Sequence, residues 1–307
     1  MDNLLRALTT RPRDGHKGTF GTVLVIGGSW GMSGAVALSG MSALRSGAGL
    51  VKVAVPERIL PIVASAGLEY TLLPQPEDED GKIALSALEP ILNMVGNSLG
   101  KMSGNVTTVA VGPGLGQSDE LDEFVTALWE NLPTPAVFDA DALNALARYT
   151  MKNGRKNGKK LPPHAGERVI TPHPGEFSRL VPAACTLDLD AQRFAAFELA
   201  RENEIIVVLK GAGTQITDGN SIFRNTTGNP GMATGGSGDV LTGIIAALCA
   251  QFFQRAEKDF KNWELFDVVR LAVFLHGKAG DLAAEELGEC SVIASDLIRF
   301  LPKAMKE

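Results

Sequence analysis

Six short apolar runs recur along the chain, and each gives way to a segment bearing glycine, proline or aspartate. They are Thr22–Ile26 (TVLVI), Leu50–Val55 (LVKVAV), Thr107–Val111 (TTVAV), Ala136–Phe138 (AVF), Arg168–Thr171 (RVIT) and Ile205–Lys210 (IIVVLK). Near-continuous hydrophobicity marks strands buried on both faces, as in a parallel sheet covered by helices. Helical patterns lie between them, including Ala35–Ser46 and Leu143–Tyr149. The sequence therefore predicts an α/β fold: a doubly wound, mostly parallel central sheet flanked by helices. Ligands in such sheets lie beyond the carboxyl ends of the strands. Nearly every unusual polar or glycine cluster here falls at such an end.

The richest cluster is Asn225–Gly243, NTTGNPGMATGGSGDVLTG. It places Asp239 directly before an apolar, helical run, VLTGIIAALCAQ. Glycines allow close backbone approach and positive φ. A helix starting there points unpaired N–H groups and its positive dipole end at whatever lies in front. Such an end suits a phosphate, and an acid beside it is placed to take a proton from an attacking hydroxyl. Asp239 as a plain helix cap is the competing reading.

Five further clusters sit at strand ends. GGSWGMSGA (Gly27–Ala35) lacks GxGxxG spacing and a following acid, which excludes a dinucleotide-binding fingerprint. Its small residues Ser33, Gly34 and Ala35 suit a wall that a ligand approaches closely. Gly112, Gly114 and Gly116 permit a tight turn exposing main-chain N–H groups. Asp139 and Asp141 either orient a metal–phosphate complex or cap the next helix. His173 is held between prolines in TPHPGEF, and Glu176 falls in the first turn that follows. In LKGAGT, Lys210 can neutralise a phosphate while Gly211, Gly213 and Thr214 bond it through N–H and hydroxyl groups. The order is not that of a P-loop.

Composition narrows the partners. A net charge of −6 with 6% aromatic residues argues against a nucleic-acid binder. The apolar runs are too short and glycine-interrupted to span a bilayer. Cys185, Cys249 and Cys290 are scattered without a CxxC pair, which predicts a reduced, cytoplasmic protein with no disulfide framework or protein metal site. Lys152–Lys160 and Asp78–Gly81 read as solvated loops.

Together, HKGTFGTVLVIGGSWGMSGAVALSGMSALRSGAGLVKVAVP, VGPGLG, VFDADALNAL, TPHPGEF, VVLKGAGTQITDG and NTTGNPGMATGGSGDVLTGIIAAL resemble the NAD(P)H-hydrate dehydratase family of the ribokinase-like superfamily. They occur in the family's order, and HGKAGDLAA (His276–Ala284) and ASDLI fit as well. The resemblance implies one ribokinase-like domain over 1–307, without the epimerase domain fused ahead of it in many members. It implies ADP- or ATP-dependent dehydration of hydrated NADH or NADPH, by phosphorylation of the C6 hydroxyl and loss of phosphate. Bacterial members mostly use ADP, which the unfused architecture favours.

On that resemblance Asp239 is the base, and the backbone of Gly236–Gly238 forms the anion hole. Lys210, Gly211, Ala212, Gly213, Thr214 and Gly238 match nucleotide-binding positions. Ala35, Gly114, His173 and Asp239 match substrate positions, with Asn144 and Glu176 as further contacts. Magnesium accompanies the nucleotide phosphates, and a homotetramer is expected. The alternative is a kinase of the same fold acting on an alcohol such as a hydroxyethylthiazole.

Overall fold

The computed structural model describes residues 2–96, 106–152, 160–186 and 188–306. Its strands are β1 (Thr22–Ile26), β2 (Leu50–Pro56), β3 (Thr71–Gln75), β4 (Thr108–Val111), β5 (Ala136–Phe138), β6 (Arg168–Ile170), β7 (Ile206–Leu209), β8 (Gln215–Thr217) and β9 (Ile222–Arg224). Its helices are α1 (Asp2–Thr9), α2 (Ser33–Arg45), α3 (Leu60–Ala66), α4 (Leu88–Gly96), α5 (Asp119–Asn131), α6 (Asp141–Lys152), α7 (Pro174–Leu180), α8 (Leu189–Asn203), α9 (Ser237–Asp259), α10 (Leu265–Leu287) and α11 (Ala294–Ala304).

Among the described residues, nine strands make one sheet in the order β3-β2-β1-β4-β5-β6-β7-β8-β9. The pairs from β3 through β7 are parallel, while β7–β8 and β8–β9 are antiparallel hairpins. This is the doubly wound, mostly parallel architecture predicted from the apolar runs.

Alternation along the central strands divides the core into two layers. Val23, Val25, Val137, Val169 and Val208 face the layer filled by α2, α9, α10 and α11. Leu24, Ile26, Phe138, Ile170 and Leu209 face the other, filled by α4 to α8. Successive strand residues point to opposite faces. Continuing the alternation past Val137 and Val208 puts Asp139 and Lys210 on the α9 side, at the carboxyl edge. Apolar burial drives this sandwich, at about 25 cal/mol per Å².

One strand residue breaks the apolar pattern. Arg168 is fully buried, yet its guanidinium donates to the carbonyls of Trp129, Leu132 and Thr134. It thereby satisfies orphan carbonyls at the end of α5. Burial pulls its pKa down to about 10.

Element limits differ modestly from the sequence reading. The first crossover helix starts at Ser33 rather than Ala35, and the helix after the aspartates starts at Asp141 rather than Leu143. β3, β8 and β9 were not expected as strands. Asp78–Gly81 is a turn closed by the Gly81 N–H to the Asp78 carbonyl. Of the basic stretch, Lys152 ends α6, and 153–159 lie outside the described residues.

Candidate active site

Asp239 sits in the first turn of α9, behind Gly236. Gly236 adopts φ +90°, and a Cβ there would fall 2.6 Å from Leu38. Both facts require glycine. No side chain caps this helix end; the Ser237 N–H reaches the Thr234 carbonyl at 3.4 Å, and the dipole with the N–H groups beside it is available to an anion. The sequence alternative of Asp239 as the cap is thus not the arrangement found. Ser39 of α2 donates to the Asp239 carbonyl at 2.9 Å, and His276 Nε2 of α10 lies 2.9 Å from the Ser237 carbonyl. A ring nitrogen facing a carbonyl must carry the proton. Burial pushes His276 down to about 4, so it stays neutral and holds the turn through one N–H.

Beneath this helix end lies an ion pair assembled from three distant segments. Lys210 Nζ, just beyond β7, is 2.8 Å from Asp139 Oδ1, just beyond β5. Thr242 of α9 donates to Asp139 Oδ2 at 2.7 Å, and Asp139 is 1% exposed. Glu176 Oε2 lies 3.7 Å from the same ammonium. The site of a Cβ on Gly238 would be 3.2 Å from Lys210 Nζ and 3.7 Å from Asp139 Oδ2. The backbone of the helix end therefore rests almost on the ion pair.

These charges set the protonation of Asp239. Burial raises its pKa to about 7; Asp139, Asp141 and Glu176 reinforce the shift, and Lys210 opposes it. Burial pulls Lys210 downward, but Asp139 and Glu176 outweigh it and the ammonium is stabilised overall. Burial also raises Glu176, against the pull of Lys210. The result is a carboxylate that exchanges its proton near neutrality beside a fixed positive charge. That suits a general base.

His173 and Glu176 form a capping box at the start of α7. Glu176 Oε2 accepts the His173 N–H at 2.8 Å, and His173 Nδ1 accepts the Gly175 N–H at 3.0 Å. With Nδ1 accepting, the ring proton belongs on Nε2, 3.3 Å from Glu176 Oε1. Burial lowers the His173 pKa, with help from Lys210 and Arg179, so the ring is neutral at pH 7. Asn144 accepts from Arg179 at 3.0 Å and approaches Asp141 at 3.4 Å.

Of the two readings open for Asp139 and Asp141, neither side chain takes up the capping one at the start of α6. Asp139 turns to Lys210 and Thr242, while Asp141 accepts the Gly116 N–H at 2.9 Å and Gln117 at 3.2 Å. Asp141 thus ties the GPGLG turn to α6. The same turn holds the first glycine loop: Gly28 N–H donates to the Pro113 carbonyl and Ser29 Oγ to the Gly114 carbonyl. A Cβ on Gly114 would be 3.0 Å from the Ala35 Cβ, so these two positions are neighbours.

The segment Lys210–Thr214 turns β7 into β8. Gly211, Ala212 and Gly213 are exposed. Thr214 Oγ1 bonds the Gly211 carbonyl at 3.0 Å, and Arg193 reaches the Ala212 and Gly213 carbonyls at 3.4 Å each. Among the described residues no group of three His, Cys, Asp or Glu side chains is disposed to hold a metal ion. Cys249 and Cys290 are free thiols. No described helix is long and apolar enough to cross a membrane.

Sequence reasoning offers no role for Thr242, Ser39 or His276, and does not offer Asp139 the ion pair it makes. Asp139 lay in a noticed motif and His276 in a matching segment. Ser39 and Thr242 carry no local signal, since each matters only through a partner about 100 or more residues away.

A nine-stranded, mostly parallel sheet with a glycine-lined helix end and an acid at its carboxyl edge defines the ribokinase-like class. A family model described as NAD(P)H-hydrate dehydratase matches residues 23–303, and the chain belongs to that family. It is 40% identical over 302 residues to the bifunctional NAD(P)H-hydrate repair enzyme Nnr of Moorella thermoacetica, covering 97% of this chain and 52% of that protein. It is 32% identical to the ADP-dependent (S)-NAD(P)H-hydrate dehydratase of Cenarchaeum symbiosum, covering 99% and 95% respectively. The ADP/ATP-dependent NAD(P)H-hydrate dehydratase of Bacillus subtilis, co-crystallized with ATP/Mg2+, superposes with a TM-score of 0.75 at 28% identity, covering 99% and 96%. The chain spans about half the length of the bifunctional relatives it matches.

Proposed function

We propose that this chain is an ADP-dependent (S)-NAD(P)H-hydrate dehydratase that returns hydrated NADH or NADPH to the working dinucleotide. The observation that carries this reading is Asp239, poised near pH 7 at an uncapped helix end above the Asp139–Lys210 pair. Hydroxide is a poor leaving group and phosphate a good one. Asp239 takes the proton of the C6 hydroxyl as its oxygen attacks the terminal phosphorus of ADP, and the bridging P–O bond breaks with its electrons leaving on AMP. The N–H groups of Gly236–Gly238 and the Lys210 ammonium face the charge that develops on the phosphoryl oxygens. The C6–O bond then breaks with its electrons leaving on phosphate. Loss of a C5 proton restores the ring double bond.

In this reading Lys210–Thr214 and Gly238 hold the nucleotide, and Ala35, Gly114, Asn144, His173 and Glu176 line the dinucleotide. Asp139 is already engaged by Lys210 and Thr242, so magnesium would be carried chiefly by the nucleotide phosphates and would neutralise charge there. The proposed setting is the cytoplasm and the proposed assembly a homotetramer, which light scattering on the eluted protein measures.

The test follows the near-ultraviolet absorbance of the dihydronicotinamide ring, with hydrated NADH, magnesium and either ADP or ATP. The reading predicts a rise with ADP and release of free phosphate. No rise with either nucleotide, from folded protein that still binds ADP, would instead indicate a kinase for another alcohol.

A further inference from the structure

A chain of contacts through α2 links the turn that carries the base to an exposed aromatic ring. Ser39 Oγ bonds the Asp239 carbonyl at 2.9 Å and the Ala35 carbonyl at 3.2 Å. The Ala35 Cβ adjoins Gly114, and so does the Met32 backbone, whose oxygen is 2.6 Å from where a Gly114 Cβ would stand. Met32 closes a turn onto Ser29, and Trp30 lies within that turn. Trp30 is 59% exposed and Met32 42% exposed. Their loop is nevertheless firmly held, because Ser29 is pinned to Gly114 and the Trp30 N–H to the Gly81 carbonyl at 3.0 Å. Large apolar side chains kept in water on a braced loop mark a contact surface.

The sheet order fixes which half of the ligand reaches it. The nucleotide loop follows β7, whereas Trp30 follows β1; α9, which carries the base, packs on β1, β4 and β5. A dinucleotide with its nicotinamide ring at Asp239, and the phosphoryl donor over β7, must extend its other half over β1 and β4. We infer that Trp30 is the platform on which the adenine of the hydrated dinucleotide stacks, and that the acidic turn beside it makes NADH-hydrate the better substrate. This rests on the dehydratase reading.

The charge around the ring supports the second clause. The Arg58 guanidinium lies 5.9 Å from the Trp30 centroid, but it is paired with Glu77 at 3.1 Å. Lys82 is paired with Asp80 at 2.7 Å. Glu77, Asp78, Glu79 and Asp80 on the turn that touches Trp30 thus outnumber the two nearby cations, Arg58 and Lys82. Carboxylates accept hydrogen bonds from a ribose 2′-hydroxyl and repel a 2′-phosphate.

The test compares wild type, Trp30→Ala, Trp30→Phe and Glu79→Gln/Asp80→Asn on both hydrates, with ADP binding measured separately. Wild type is expected to favour NADH-hydrate in kcat/KM by about threefold or more. Trp30→Ala should raise KM about tenfold with kcat changed less than about twofold and ADP Kd unmoved, as loss of one stacking contact implies. Trp30→Phe should recover most of that loss, and the double variant should narrow the preference. An unchanged KM in active Trp30→Ala overturns the platform, and preference for NADPH-hydrate in wild type overturns the charge argument. Wild type inactive on both hydrates would overturn the dehydratase reading and this inference with it.

Discussion

The two sides of the site are built by opposite strategies. Around Asp239 the structure is buried, charged and cross-linked: Asp139, Lys210, Thr242, Ser39 and His276 come from five segments and all hold one helix turn or the ion pair beneath it. The Gly211–Thr214 turn is a local hairpin, exposed over most of its length, with a threonine hydroxyl bonded inside the turn and one arginine bracing it. A base needs a fixed protonation equilibrium, which only burial and fixed charges supply. In the proposed function this turn admits and releases a nucleotide, a task served by main-chain N–H groups and little packing. Substitutions on the first side should therefore change chemistry and stability, and those on the second only affinity.

The sharpest way to break this contrast is Asp239→Asn. Turnover should fall about 10²–10⁴-fold while nucleotide Kd moves less than about threefold. The same variant should be more stable at alkaline pH. Asp239 holds its proton more tightly folded than unfolded, so folding loses stability as pH rises from the ordinary 3.8 towards about 7. Removing the charge should thus raise Tm at pH 8 and have little effect near pH 4. Equal Tm gains at both pH values would contradict the burial argument.

Asp139→Asn probes the support under the base. It leaves the buried Lys210 ammonium without its 2.8 Å partner, which should cost roughly 3 kcal/mol in denaturant unfolding. Turnover should fall less than in Asp239→Asn. The acid limb of its pH profile should shift to lower pH, because a negative neighbour of Asp239 is gone. A profile that stays in place would show that Asp139 acts only structurally.

The smallest effect belongs to the hairpin. Thr214→Val removes the hydroxyl that bonds the Gly211 carbonyl, and ADP Kd should rise by about threefold to tenfold with substrate KM unchanged. A loss of turnover larger than the loss of affinity would erase the division between the two sides.

The same division governs what the sequence reveals. The parallel strands were legible because burial on both faces writes itself as unbroken apolar runs such as TVLVI and TTVAV. β8 and β9 escaped because QIT and IFR hold their place by successive hairpin pairing, β8 to β7 and β9 to β8, rather than by apolar content. Within the site, Asp239 and the glycines before it announce themselves by adjacency. The Asp139–Lys210 bridge spans 71 positions and the Asp139–Thr242 bond 103, so no local pattern encodes either. Lys210 read as a phosphate ligand from its loop alone, and its engagement with two carboxylates emerges only when β5, α7 and β7 are brought together.

The most direct test is the pH dependence of kcat for the wild-type enzyme with saturating ADP and hydrated NADH. The account predicts an acid limb that rises about tenfold per pH unit and levels off with a midpoint near 7, the value that burial and the neighbouring carboxylates impose on Asp239. A rate that is flat from pH 5 to pH 8 would mean that no group with that equilibrium accepts the proton, and Asp239 would lose its place as the base.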